Sequence, residues 1–164
     1  QSDLGVNAIE SVAYSGMGCP QGSIGQSFAN DRQSLTLIFD QFVASTGVGV
    51  PEDEEVKECR IDLTMQTPDS VQITMQTRGY TMLADGMSSD QHQNVLRAKK
   101  ANLVTSFSGP VSKDYVAEST ATVLAQGRPS SYMVTILLQV EVDKGNNTAD
   151  NGQLTIDSFD LRIN

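Results

Sequence analysis

The chain has 164 residues, with 20 acidic against 11 basic side chains and a formal charge of −9 when its single histidine is neutral. Hydrophobic residues make up 38% and are spread evenly, with no run near the roughly 20 apolar residues a bilayer crossing needs, so no membrane span is expected. The carboxylate excess repels phosphates, and five Phe and four Tyr with no Trp give few stacking platforms, so nucleic acid is not an expected partner.

The chain opens at Gln1, with no basic stretch leading into an apolar run, and is expected to be a mature chain freed of a secretory signal. Val6, Ala8, Ile9, Val12 and Tyr14 form a weakly patterned strand bounded by Gly5 on one side and by Gly16 and Gly18 on the other. Residues 1–17 are therefore read as an N-terminal arm, able to serve as an edge strand of its own domain or to be donated to a neighbour. Residues 18–164 are read as one β-sandwich domain, because no linker rich in Pro, Ser or charge interrupts them and the length suits a single core.

From there on the dominant period is two. Strands are expected at 23–28 and 35–44, and Pro51 followed by four acidic residues predicts one short helical turn. Cys59, Ile61, Leu63 and Met65 alternate with polar residues, the mark of a strand with one face on a core and one in water. After the Thr67-Pro68-Asp69 turn, Val71, Ile73 and Met75 continue the alternation and close a hairpin. Further strands are expected at 80–83, 93–99, 103–108 and 115–124. Asp85-Gly86, Gly109-Pro110 and Gly127-Arg128-Pro129 supply turn chemistry between strands. The longest strand runs through Val134, Ile136, Leu138, Val140 and Val142, with Leu137 breaking its polar face. In the last segment the apolar phase slips by one residue near Ser158, which predicts a β-bulge. Many short strands about ten residues apart with no helical periodicity describe an all-β chain, an antiparallel sandwich of jelly-roll-like topology.

Two cysteines in an oxidising compartment are read as a disulfide ahead of a metal pair or two free thiols; closing their loop of about 40 residues would stabilise by roughly 4 kcal/mol. From Gly18-Cys19-Pro20-Gln21-Gly22-Ser23 through Leu35-Thr36-Leu37-Ile38-Phe39-Asp40-Gln41-Phe42, and on to Cys59 and Arg78-Gly79-Tyr80, the chain resembles an uncharacterised family of small secreted β-rich proteins of bacteria and fungi, a domain of unknown function. The resemblance covers about residues 14 to 125. It implies secretion, a β-rich fold and a bridge between Cys19 and Cys59, and it supplies no catalytic residues. Family members often carry a second cysteine pair toward the C-terminus, which this chain lacks.

His92 stands among Asp90, Gln91, Gln93 and Asn94 and reads as a solvated loop or strand edge, with no Gly-x-Ser-x-Gly elbow to partner it. On the count of His and Cys, zinc is not expected. Glu141 and Asp143 share a strand face, as two glycosidase carboxylates would, but read as a solvated face. Calcium is the one cofactor entertained, because it needs only oxygens; the acidic run 52–55 and the loop carrying Asp143, Asn146 and Asp150 are its candidates. Asp40 is read as bonding to turn amides. Arg97, Lys99 and Lys100 form the one basic cluster, and Asn146 is a glycosylation acceptor if the source is eukaryotic.

No catalytic constellation emerges, so the chain is expected to be a secreted, extracellular or cell-surface protein without enzymatic activity. The leading expectation is a structural subunit that partners itself by strand addition through Val6, Ala8, Ile9, Val12 and Tyr14, with an extracellular filament as the assembly in view. The alternative is a monomeric secreted binding module for a glycan or cell surface, with calcium assisting.

Overall fold

The period-two segments fold as twelve strands in two antiparallel sheets, seen in a computed structural model that describes residues 8–66, 70–98, 102–124 and 131–164. In chain order the strands are β1 (Ala8–Ser15), β2 (Ile24–Phe28), β3 (Ser34–Phe39), β4 (Val43–Thr46), β5 (Val56–Gln66), β6 (Val71–Leu83), β7 (Ser88–Val95), β8 (Asn102–Ser108), β9 (Val111–Val123), β10 (Ser131–Asp143), β11 (Gly152–Thr155) and β12 (Ser158–Ile163). A single 3-10 turn at Glu52–Glu54 follows Pro51, where a short helical turn is expected. One sheet has the order β1-β5-β10-β7-β8; the other runs β2-β3-β12-β6-β11-β4 with β9 added on β6. The architecture is the antiparallel sandwich that the alternation predicts. Val6, the 67–69 turn, Lys99 and Lys100, and the 127–129 turn lie outside the described residues.

The inward faces carry the apolar half of each alternation. Ile61, Leu63, Met65, Ile136, Leu138 and Val140 of one sheet have no exposure, and they face Leu37, Ile73, Met75, Leu154 and Phe159 of the other. Two expected strand segments are divided differently in the fold, each for a packing reason. The 35–44 segment splits at Asp40 because Phe42 turns into the core and meets Phe39 edge-on, ring centroids 5.2 Å apart. Asp40 is exposed, and its turn is tied by its backbone N–H to the Ser23 carbonyl at 3.1 Å. The strands expected at 71–76 and 80–83 merge into one, because Gly79 carries β6 past Tyr115 and the Thr155 carbonyl, where a Cβ would collide with both.

The predicted bulge near Ser158 is a change of partner. β11 pairs with β4 and with Thr81 and Met82 of β6, whereas β12 pairs with β3 and with the 73–78 part of β6. At the crossing, the Asp157 N–H bonds to the Arg78 carbonyl at 2.7 Å, and the Tyr80 N–H bonds to Thr155 Oγ1 at 3.0 Å. The buried Tyr115 hydroxyl donates to the Thr155 carbonyl at 2.7 Å and locks the same corner.

Residues 8–15, expected to form an arm, are the edge strand of the five-stranded sheet in their own chain. Ala8 and Ile9 have no exposure, and Val12 and Tyr14 pack half-buried against the core. The outer edge of this strand is closed at its start by Arg32, whose Nε and Nη2 donate to the carbonyls of Ile9 and Glu10 at 2.7 and 2.5 Å. Arg32 sits at φ 58° with its guanidinium over Phe28, 4.1 Å from the ring centroid. Of the two readings of this segment, edge strand of its own domain or donated arm, residues 8–15 take the first in this structure.

Cys19, in the turn leading to β2, is bonded to Cys59 on the inward face of β5, and both are fully buried. Gly18 makes the approach possible, since a Cβ there would strike the Phe42 ring; its N–H bonds to the Glu58 carbonyl at 2.9 Å.

Two outcomes follow. Replacing both Cys19 and Cys59 by Ala releases the loop-closure constraint on the unfolded chain and lowers stability by about 4 kcal/mol in urea unfolding followed by fluorescence. Burial, with Asp157 nearby adding to it, pushes the Tyr115 hydroxyl well above its ordinary pKa. The folded chain keeps this proton after the unfolded chain has released it, so stability falls as pH rises past about 10, by up to roughly 1.4 kcal/mol per pH unit. Tyr115→Phe flattens that alkaline slope in a pH series of denaturant melts.

Candidate functional site

The outer face of the five-stranded sheet is where titratable and polar side chains converge, and strand register decides which of them meet. β7 presents Ser88, Asp90, His92 and Asn94 outward and buries Ser89, Gln91, Gln93 and Val95. β10 presents Met133, Thr135, Leu137, Gln139, Glu141 and Asp143. Across the strands, Ser106, Asp90, Glu141 and Val56 form one row. Val104, His92, Gln139 and Glu58 form the next, and Asn102, Asn94, Leu137 and Arg60 the third.

Two features stand on this face. At one end, Asp90, His92 and Glu141 bring one ligand atom each to within 4.8 Å of one another, the one group of three or more His, Cys, Asp or Glu residues placed to hold a metal ion among the described residues. His92 Nε2 lies 3.7 Å from Glu141 Oε1, beyond hydrogen-bond range, with both side chains about one-third to two-fifths exposed. Ser106 Oγ donates to Asp90 Oδ1 at 2.6 Å and fixes that carboxylate.

At the other end, a cleft of about 590 Å³ runs from Arg60, Met133 and Thr135 on this face, past Leu96 and Arg97 in the turn after β7, to Val123 and Leu124 at the end of β9 in the other sheet. Two of its lining side chains are tied to Asp62, which lies outside the lining: Arg60 Nε donates to both oxygens of Asp62 at 3.2 Å, and Thr135 Oγ1 donates to Asp62 Oδ1 at 2.7 Å. Its rim is apolar, with Met133 57% and Leu96 39% exposed. Arg97 takes a left-handed φ of 63° in the turn after β7 and is exposed beside the cleft. A smaller cavity of about 280 Å³ on the other sheet is floored by side chains already bonded to one another, such as Thr36 to Asp160 at 2.6 Å.

The residues singled out from sequence are distributed otherwise than expected. Glu141 and Asp143 do share the outer face of β10, but the carboxylate opposite Glu141 is Asp90, across the strand pair. His92 is on a strand in mid-sheet, not in a loop. The calcium candidates are engaged in turn formation. Asp143 Oδ1 accepts from the Gly145 N–H at 2.8 Å, and Asp150 Oδ2 accepts from Asn147 Nδ2 at 3.1 Å. It is Asn147, not Asn146, that organises the loop, accepting the N–H groups of Ala149 and Asp150 at 3.0 Å; Asn146 is exposed. In the acidic run, Glu54 pairs with Lys57 at 3.1 Å and Glu55 accepts from Thr46 at 2.6 Å. The Asp90–His92–Glu141 group escapes sequence reading because β7 lacks an apolar alternation to set its register; the signal present is the Asp-x-His spacing that puts both on one strand face.

The family described as Domain of unknown function (DUF4360) matches residues 7–164. The chain belongs to this family. An uncharacterized secreted protein of Arthroderma benhamiae is 35% identical to this DUF4360 chain over 125 residues, 70% of the chain and 51% of that protein. The chain thus spans about half the length of the curated relative it matches. The protein is secreted, consistent with its buried disulfide. Among the described residues no helix is long and apolar enough to cross a membrane.

Among solved structures, a TmCBM61 complex with β-1,4-galactotriose covers 94% of this chain and 90% of its own, at 12% identity and a TM-score of 0.33. A carbohydrate-binding module of Cellvibrio mixtus lichenase 5A with cellotriose covers 92% and 95%, at 9% identity and a TM-score of 0.31. At such scores the likeness carries no argument about a ligand for this chain.

The facing of Asp90 and Glu141 is a like-charge cross-strand pair, which destabilises. Asp90→Asn keeps an acceptor for Ser106 and removes the repulsion, so it raises stability by about 0.2 to 1 kcal/mol in urea melts run with a chelator.

Proposed function

We propose that this chain is a secreted, non-catalytic binding module that takes a neutral, hydroxyl-rich glycan in the cleft that opens from the outer face of its five-stranded sheet toward the end of β9. The observation that carries the reading is the cleft: a volume of about 590 Å³, apolar Leu96 and Met133 in its wall, and polar Arg60 and Thr135 each held in place by a hydrogen bond to Asp62. That volume is within the ordinary range for ligand sites, and sites of this kind pair apolar walls with a few fixed polar groups. A sugar unit offers the complement, hydroxyls that both donate and accept around an apolar C–H face. The rows continuing from the cleft, through Leu137 and Asn94 to Gln139, repeat the same mixture and extend the surface along β10 and β7. The formal charge of −9 works against polyanions, which favours a neutral polymer.

Self-association by strand addition draws no support from β1, which pairs within its own sheet with Ala8 and Ile9 buried and Arg32 bonded to its carbonyls. A pair of opposed carboxylates also stands on this face, but the cleft has neither member of it, which supports binding over turnover.

The test is affinity electrophoresis of the full chain through gels containing soluble neutral glucans, xylans or galactans, beside a polyuronate. Retardation by at least one neutral polymer and none by the polyuronate is expected, and Leu96→Asp with Met133→Asp weakens it by about tenfold or more while leaving the melting temperature unchanged. Retardation equal in the variant, or absent across the neutral panel, overturns the proposal.

A further inference from the structure

We propose that Asp90, His92 and Glu141 form a binding site for one divalent transition-metal ion of the zinc class on the outer face of the sheet. The proposal does not depend on the glycan reading, since none of the three lines the cleft.

Three observations carry it. First, the three ligand atoms, one imidazole nitrogen and two carboxylate oxygens, lie within 4.8 Å of one another and come from adjacent strands of a rigid sheet. Two ligands about 2.1 Å from one tetrahedral ion stand roughly 3.4 Å apart. The 3.7 Å from His92 Nε2 to Glu141 Oε1 is close to that spacing; it is longer than a hydrogen bond and within ion-pair range only for a protonated imidazole. Second, Asp90 and Glu141 face each other across the ladder, a placement that repels. Among the described residues no Lys or Arg makes an ion pair with either of them; Lys57 is paired with Glu54, and Arg60 with Asp62. The groups around them are Ser106, Val104, Gln139, Glu58 and Val56, none cationic. A bound cation supplies the missing charge. Third, Ser106 holds Asp90 by a 2.6 Å hydrogen bond, the kind of supporting contact that orients a metal-ligating carboxylate.

The donor set selects the ion. Calcium and magnesium take oxygen ligands, and an imidazole among the three ligands argues against both. One nitrogen and two oxygens suit zinc or its first-row neighbours, with copper binding more tightly than zinc at equal geometry. Three protein ligands leave the fourth position to solvent, and the partial exposure of His92 and Glu141 leaves it open on the sheet surface. Counting only His and Cys overlooks such a site, because its carboxylates are supplied by register.

The experiment is isothermal titration of the full chain with Zn²⁺ after chelator treatment, together with the visible absorption of the Co²⁺-loaded protein. Saturable binding of one ion is expected, with a low-symmetry Co²⁺ spectrum. His92→Ala and the near-isosteric Glu141→Gln each weaken binding by at least about tenfold, with melting temperatures in chelator no lower than that of the parent. Asp143→Asn, on the same face of β10 but outside the group, binds as the parent does. Absence of one-to-one binding, equal affinity in His92→Ala, or an equal loss in Asp143→Asn overturns the assignment.

Discussion

The chain of hydrogen bonds from Thr77 through Gln93 to Ser119 sets the phase of the strand on which the surface chemistry depends. Gln93 is fully buried; its Oε1 accepts from Thr77 Oγ1 at 2.9 Å and its Nε2 donates to Ser119 Oγ at 2.7 Å. One glutamine thus ties β7 of one sheet to β6 and β9 of the other. Ser89 adds a second tie, 3.1 Å from Thr81 Oγ1. A buried amide without partners is expensive, so β7 cannot slip by one residue without losing these bonds and exposing the glutamines. Because side chains alternate faces, the same constraint that sends Ser89, Gln91 and Gln93 inward sends Asp90, His92 and Asn94 outward. The long ladder between β7 and β10 then sets Glu141 opposite Asp90.

The other side of the same sheet is secured differently. The Cys19–Cys59 bond, the close pass of Gly18 over Phe42 and the Arg32 clasp on Ile9 and Glu10 hold β1 and the first crossover against β5. Together they leave β5 and β10 as fixed neighbouring strands, with Arg60 and Thr135 both bonded to Asp62. Binding surfaces gain from such rigidity, since little ordering remains to be done when a ligand arrives.

Much of this was legible in the residues, and the gaps have physical causes. Where apolar residues mark the inward face, as along Cys59 to Met65 and Val134 to Val142, alternation located the strands and their facing. It failed at β7, where the inward residues are Ser and Gln and hydrogen bonding between sheets replaces apolar burial; the strand begins at Ser88 although expectation began it at 93. It failed again at 71–83, where Gly79 permits one long strand to serve two partners. The site followed the same division. Glu141 and His92 were visible as residues, but their neighbours across the ladder were not, because register between a patterned and an unpatterned strand cannot be read from composition. The family motifs anticipated the disulfide and secretion, and had no bearing on the outer face.

A secreted β-sandwich whose ligand lies across β5, β10 and the turn after β7 is a claim about place as much as about chemistry. Backbone amide chemical-shift mapping during titration with a retained neutral oligosaccharide tests it most directly. The account predicts perturbations concentrated at Arg60, Asp62, Leu96, Arg97, Met133 and Thr135 and fading across the seven-stranded sheet. Perturbations centred on the outer face of that second sheet, around Thr36, Thr74 and Asp160, would contradict it.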